Sequence, residues 1–222
     1  MTISERDFIR SQKEQQKKRT TTVVLIILAV VLIVATVLVI TNLPKKGSTF
    51  ASESGMSVGD PNAPVKVIEF SNYTCSHCKT FALNQAPDFI KNYVDTGKVY
   101  YTAYPFPWNE QDITYNASLA AYCAADQNVY YAYKDLIFSK VVGPSDLSDE
   151  KILDYAKLAG ADISKFETCL NDPLLADRMA DTKDLAASYK VEGTPSFIVN
   201  GTLVYANNLN EAVEAAIEAS GN

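Results

Sequence analysis

Histidine is nearly absent from this chain. One imidazole, His77, and four cysteines are all the His and Cys ligands that 222 residues offer. A structural zinc site takes four ligands, usually as paired clusters. Cys75, His77 and Cys78 form one cluster, but Cys123 and Cys169 stand alone and far away. A metal-binding or metal-delivery module is therefore the weaker reading, and no metal or other cofactor is expected. Basic charge is also short, with 20 Lys and Arg against 26 Asp and Glu, for a net charge of −6. What there is gathers at one end: Arg6, Arg10, Lys13, Lys17, Lys18 and Arg19 lie among the first 19 residues, with Glu5, Asp7 and Glu14 opposing them, for +3. The segment 20–42 has no charge at all, so the remainder carries −9, the total of −6 less that +3. An acidic body of this kind excludes nucleic acid as a partner, because phosphate binding needs a basic face. Internal repeats and low-complexity segments are missing too.

The uncharged stretch reads "TTTVVLIILAVVLIVATVLVITN". As a helix it would be about 34 Å long, enough to cross the hydrocarbon core. A buried soluble helix would show a polar face, and none is present. A cleaved signal peptide has an apolar core of roughly 7–15 residues and a small-residue cleavage site. This core is longer, and "LPKKGSTF" after it supplies no such site. The expectation is an uncleaved transmembrane signal anchor at 20–42. Six basic residues precede it and two, Lys45 and Lys46, follow, which keeps residues 1–19 in the cytoplasm. The chain is thus expected to be a single-pass cell-membrane protein whose catalytic domain faces outside, where disulfides persist. Residues 43–62, rich in Ser, Gly, Lys and Pro, read as a linker, and residues 63–222 as the domain.

Within that domain, "VKVIEFS" (Val65 to Ser71) has the near-continuous apolar run of a buried strand. A helix is expected from the CxxC motif to about Val94, kinked at Pro87. "KVYYTAY" (Lys98 to Tyr104) is a second strand. A helical tract follows over roughly 110–190, broken at "VVGPSD" and "NDP". "SFIVNGTLVY" (Ser196 to Tyr205) is a hairpin turned at Asn200–Gly201, and "NEAVEAAIEAS" closes the chain as an amphipathic helix. This order predicts an α/β fold whose central sheet is interrupted by a helical insertion. "YPFPW" (Tyr104 to Trp108) reads as a connection into that insertion. Asn72-Tyr73-Thr74 matches the glycosylation sequon, but a glycan there would crowd Cys75, and the match is taken as chance.

The chemistry concentrates in "SNYTCSHCKT" (Ser71 to Thr80). Cys75 follows the first strand and opens the helix, where unpaired N–H groups and the helix dipole favour a thiolate. Cys78, one turn on, is within bonding reach. One exposed acidic thiol and one buried partner is what thiol–disulfide exchange requires. His77, between them, would favour the thiolate further. A plain structural disulfide at the helix start is the other alternative. Glu69 lies in the middle of the apolar strand. If buried it would have a raised pKa and could exchange protons with Cys78; strand alternation could instead turn it to solvent. Cys123 and Cys169, left over in an oxidising compartment, are expected to pair as a structural disulfide worth roughly 4 kcal/mol in the chain-entropy model, the alternative being two buried free thiols.

"VIEFSNYTCSHCK", followed far downstream by "VEGTPSFIVNG", resembles the DsbA-like branch of the thioredoxin superfamily. The similarity extends over roughly Met56 to Asn222. It implies a thioredoxin fold with a helical insertion, Cys75 as exposed nucleophile, Cys78 as buried partner, Glu69 as the family's buried acid and Pro195 as its cis-proline. It also implies that the backbone of Thr194 pairs with a bound substrate strand, as in β-augmentation. The implied activity is a disulfide oxidase for exported cysteine-containing proteins, reoxidised by a membrane quinone-linked thiol oxidase. Two features leave a reductase or isomerase as the alternative: Ser76 stands where the best-known oxidases have Pro, and Thr194 occurs in both classes. The absence of the extra domain carried by dimeric isomerases favours the oxidase.

Overall fold

The computed structural model describes residues 55–221. Segment 20–42, expected to span a membrane, lies outside the described residues. Among those described, no helix is long and apolar enough to cross a membrane.

Five strands form one mixed sheet in the order β1-β3-β2-β4-β5. These are β1 (Ser57–Val58), β2 (Val65–Ser71), β3 (Val99–Pro105), β4 (Ser196–Val199) and β5 (Thr202–Tyr205). β2 and β3 are parallel, with Glu69 opposite Ala103, and every other pairing is antiparallel. The predicted strands stand where the apolar runs placed them. β1 was not anticipated: the end of the stretch read as linker pairs with Thr102 and Tyr101 at the sheet edge. Two residues carry no periodicity to read.

A helical rod, α1 (residues 76–94), crosses from β2 to β3. It alternates α-helical turns (Ser76–Thr80, Ala86–Phe89) with π-helical turns (Phe81–Gln85, Ile90–Val94). The expected disturbance at Pro87 takes this form. The proline has no N–H to give and its ring crowds the carbonyl four residues back. The Ala86 N–H instead reaches five residues back to Phe81, a π-bulge. α1 packs on the sheet through Phe81 against Phe197, ring centroids 4.7 Å apart, and Phe89 against Tyr101, 5.6 Å.

The insertion consists of α2 (Tyr115–Asp126), α3 (Tyr130–Lys140), α4 (Asp149–Ala159), α5 (Ile163–Leu170) and α6 (Leu174–Ser188). Its two anticipated breaks are present, and two more divide it. Gly160 caps α4 at φ 97°, where only a residue without Cβ sits easily, and Asp162 then caps α5 by accepting from the Lys165 N–H. The Asn200–Gly201 turn has both residues at positive φ, as a two-residue hairpin requires. α7 (Leu209–Ala219) ends the fold. One face of the sheet carries Val65, Val67, Val99 and Tyr101 into the main core; the other, through Phe70 and Ile198, meets Phe106 and Ala186 of α6.

Candidate active site

The register of β2 against β4 assembles the site. Ser196 pairs antiparallel with Phe70, so the residues before Ser196 run beside those after Phe70. That places Thr194–Pro195 against the turn carrying Cys75. The Thr194–Pro195 bond is cis, and the Cys75 Sγ donates to the Thr194 carbonyl at 3.2 Å.

Cys75 caps α1, its sulfur accepting from the Cys78 N–H at 3.4 Å. Both residues carry free thiols, Cys75 half-buried and Cys78 with no exposed surface. Their environments push them apart. Partial burial opposes ionisation of Cys75, but hydrogen bonding with the Thr194 side chain and with the Cys78 and His77 backbone N–H groups outweighs it, and the thiol lies below its ordinary range. Burial pushes Cys78 up to about 12, against weaker opposing contacts from Ser71 and Thr194. His77 reaches Cys75 through its main chain; its imidazole is exposed. Among the described residues no group of three or more His, Cys, Asp or Glu is arranged to hold a metal.

Glu69 is fully buried, as its apolar neighbours suggested. It also has a partner that the sequence reading did not supply. Lys134 of α3, itself 2% exposed, sets its ammonium 2.7 Å from Glu69 Oε2. The Tyr101 hydroxyl donates to the same oxygen, while Oε1 is buried without a protein partner. A charged carboxylate in such a place needs a cation. The signal was legible: a lone lysine in the aromatic run "YYAYKDLIF".

Asn72 was missed as well. It is 3% exposed, so the sequon there holds a structural asparagine. Its Oδ1 accepts from the Thr74 N–H at 2.9 Å and the Thr74 hydroxyl at 2.7 Å, and its carbonyl accepts from the Cys75 N–H at 3.1 Å. The "YPFPW" connection lies against this turn: Phe106 donates its N–H to the Ser71 carbonyl at 2.8 Å and accepts from the Asn72 side chain at 3.2 Å. Trp108, edge-on to Phe106, is half-exposed beside it.

Cys123 and Cys169 are bonded, S–S 2.04 Å, joining α2 to α5. That bridge lies within the helical insertion, apart from the Cys75 turn.

The chain is similar in sequence and fold to known proteins. A family model described as Thioredoxin matches residues 51–219. A Rickettsia bellii protein named as a protein-disulfide oxidoreductase is 31% identical over 77% of this chain and 67% of its own length. A Bacillus anthracis protein named as disulfide bond formation protein D is 30% identical over 81% of this chain and 85% of its own. Among solved structures, oxidised BdbD from Bacillus subtilis superposes with a TM-score of 0.66 at 21% identity, covering 77% of this chain and 97% of that one. Wolbachia pipientis alpha-DsbA1 does so at 0.63 and 24%, covering 81% and 96%; at such identities these two speak for the fold. With a CxxC dithiol split into one acidic and one buried sulfur, beside a cis-proline, the chain belongs to the thioredoxin family, among its DsbA-like protein-disulfide oxidoreductases.

Proposed function

We propose that this protein is a membrane-anchored oxidase that donates disulfides to exported, cysteine-containing proteins on the outer side of the cell membrane. The observation that carries the direction of exchange is the asymmetry of the pair. A stabilised Cys75 thiolate stabilises the reduced protein, and a stabilised reduced form makes its disulfide the stronger oxidant. In the oxidised protein a substrate thiolate attacks the Cys75 sulfur. The Cys75–Cys78 bond breaks, and Cys78 leaves with the electron pair. A second substrate thiolate then attacks the substrate sulfur of the mixed disulfide. Cys75 is released as a thiolate and the substrate holds the new bond. Two electrons have passed to Cys75 and Cys78, and a membrane quinone-linked thiol oxidase would remove them.

Half-exposed Cys75 suits attack from outside, and buried Cys78 suits a leaving group that substrates cannot reach. The Thr194 backbone beside Cys75 suits docking of an extended substrate segment by main-chain pairing. His77 would support the thiolate through its main-chain N–H. Glu69, ion-paired with Lys134, would serve proton exchange with Cys78. Segment 20–42 would hold the domain at the membrane as a single-pass anchor with residues 1–19 in the cytoplasm.

The deciding measurement is the equilibrium of the Cys75/Cys78 pair with glutathione. The oxidase reading expects a potential well above the roughly −270 mV of thioredoxin, toward the roughly −120 mV of DsbA. A thioredoxin-like value would make the protein a reductase instead. Cys78→Ala should accumulate mixed disulfides with exported proteins in cells.

A further inference from the structure

Two short motifs far apart in sequence fold into the same device and face each other. In Asn72-Tyr73-Thr74 the Asn72 Oδ1 accepts from both the N–H and the hydroxyl of the residue two positions on. In Asp112-Ile113-Thr114 the Asp112 Oδ1 does the same with Thr114, at 2.9 and 2.8 Å. Each is an Asx-turn, in which a short polar side chain stands in for backbone. The Asn72 amide joins the two, donating to Asp112 Oδ2 at 3.1 Å and to the Thr114 hydroxyl at 3.2 Å. Asp112 Oδ2 also accepts the Trp108 N–H at 2.9 Å. Asn72 and Thr114 are buried. Burial opposes ionisation of Asp112, but these donors outweigh it and hold the carboxyl below its ordinary range.

The turn so clasped is the one that presents the nucleophile. Asn72 accepts the Cys75 N–H through its carbonyl, and Cys75 then caps α1. Besides its internal bonds, its bond to Thr194 and those into α1, the turn is held sideways by Phe106, Asp112 and Thr114 of the segment 106–114 that leads into the helical insertion. We propose that Asn72 and Asp112 act together as positioning residues for Cys75. On this account the paired Asx-turns aim its sulfur at the Thr194 carbonyl and the Cys78 N–H, and tie the Trp108 loop rigidly to the redox turn. The Asn-x-Thr spacing, which matches a glycosylation sequon, is then the spacing of an Asx-turn. This inference rests on Cys75 being the reacting sulfur.

Two readouts test it. The first is ultraviolet titration of the thiolate in a Cys78→Ala background, where Cys75 is the remaining free thiol. The second is the rate at which the reduced protein attacks a small aromatic disulfide. In that reaction Cys75 displaces one aromatic thiolate, and Cys78 then displaces the second as the Cys75–Cys78 bond closes. Asn72→Ala should raise the Cys75 titration midpoint and slow the first displacement by up to about a hundredfold, the scale of a 1 Å misplacement at a reacting centre. Asp112→Asn should move the midpoint in the same direction. Removing a negative charge alone would lower it, so an upward shift comes from the lost clasp. The double variant should be no worse than Asn72→Ala, since one device is lost once. Unchanged titration and rate in variants with lowered melting temperature would overturn the proposal, as would a downward shift in Asp112→Asn or additive losses. If Asn72→Ala does not fold, Asp112→Asn decides alone. A wild-type protein that fails to react with the disulfide would sink the functional reading, whatever the variants do.

Discussion

A lysine with 2% of its surface exposed is uncommon enough to ask what it is for. Lys134 answers to Glu69, and the pair joins α3 of the insertion to β2 of the sheet. Two buried charges stabilise only as a pair; removing one strands the other at a cost of about 3–5 kcal/mol. Lys134→Met is therefore expected to lower the unfolding free energy by about that amount, and Lys134→Met with Glu69→Leu to recover most of it. Chemical denaturation of the three proteins checks this. An equal loss in single and double variants would show that Glu69 is not the partner that matters. The Tyr101 phenol, held well above its ordinary range by burial and by the Glu69 carboxylate, stays a donor throughout.

Among the elements, the crossover unit β2-α1-β3 and the edge strand β1 depend on a tight approach at Gly59. Its φ is 101°, and a Cβ there would stand 2.6 Å from the Val99 carbonyl oxygen and 2.9 Å from Val94 Cγ1. Backbone is on one side and a buried side chain on the other, so neither yields cheaply. Gly59→Ala should destabilise the domain by about 1–3 kcal/mol from the left-handed conformation alone, with the clash added. Thermal unfolding would show it, and a melting temperature equal to wild type would refute it. The elements also show which patterns reach through to structure. The run from Val65 to Ser71 became β2 residue for residue because a strand buried on both faces needs apolar side chains in both phases. The helical tract was legible as helix, but its division at residues 127–129 and 160–162 was not. Asn128 at φ 58° is one of several conformations an Asn adopts, and tertiary packing chose among them. The π-turns around Pro87 were legible only as a disturbance.

At the scale of the molecule, the redox pair is linked to global stability. The Cys75 thiol titrates lower in the folded protein than in the unfolded chain. Its contribution to the reduced protein is therefore fully present above the ordinary thiol pKa of about 8.5 and is lost as pH falls through the folded value. Cys78, raised to about 12, has the opposite sign: its contribution falls once pH exceeds the ordinary thiol value. Comparison of the reduced protein with Cys75→Ser isolates the first effect. The stability advantage of wild type should grow as pH rises from the acid side and level off near the ordinary thiol range. A difference independent of pH would mean that the thiolate is not stabilised by the fold. The Cys123–Cys169 bridge contributes separately, by closing a loop with a sequence separation of 46 within the insertion.

Sequence alone determined the kinds of chemistry available and the places where strands and helices begin. Cys75 and Cys78 at a strand-to-helix junction and Glu69 inside an apolar strand were readable, because each depends on local spacing and on the cost of burying particular groups; Pro195 ahead of the last hairpin was readable through the resemblance to a known family. The third dimension decided who meets whom. That Glu69 is answered by Lys134, that Asn72 is held by Asp112, and that Thr194 faces Cys75 depend on contacts between residues 65, 40 and 119 positions apart. Such contacts leave no period in the chain. They exist because burial removes water as an alternative partner, so each polar group enclosed by the fold must find its complement in whatever segment the packing brings beside it.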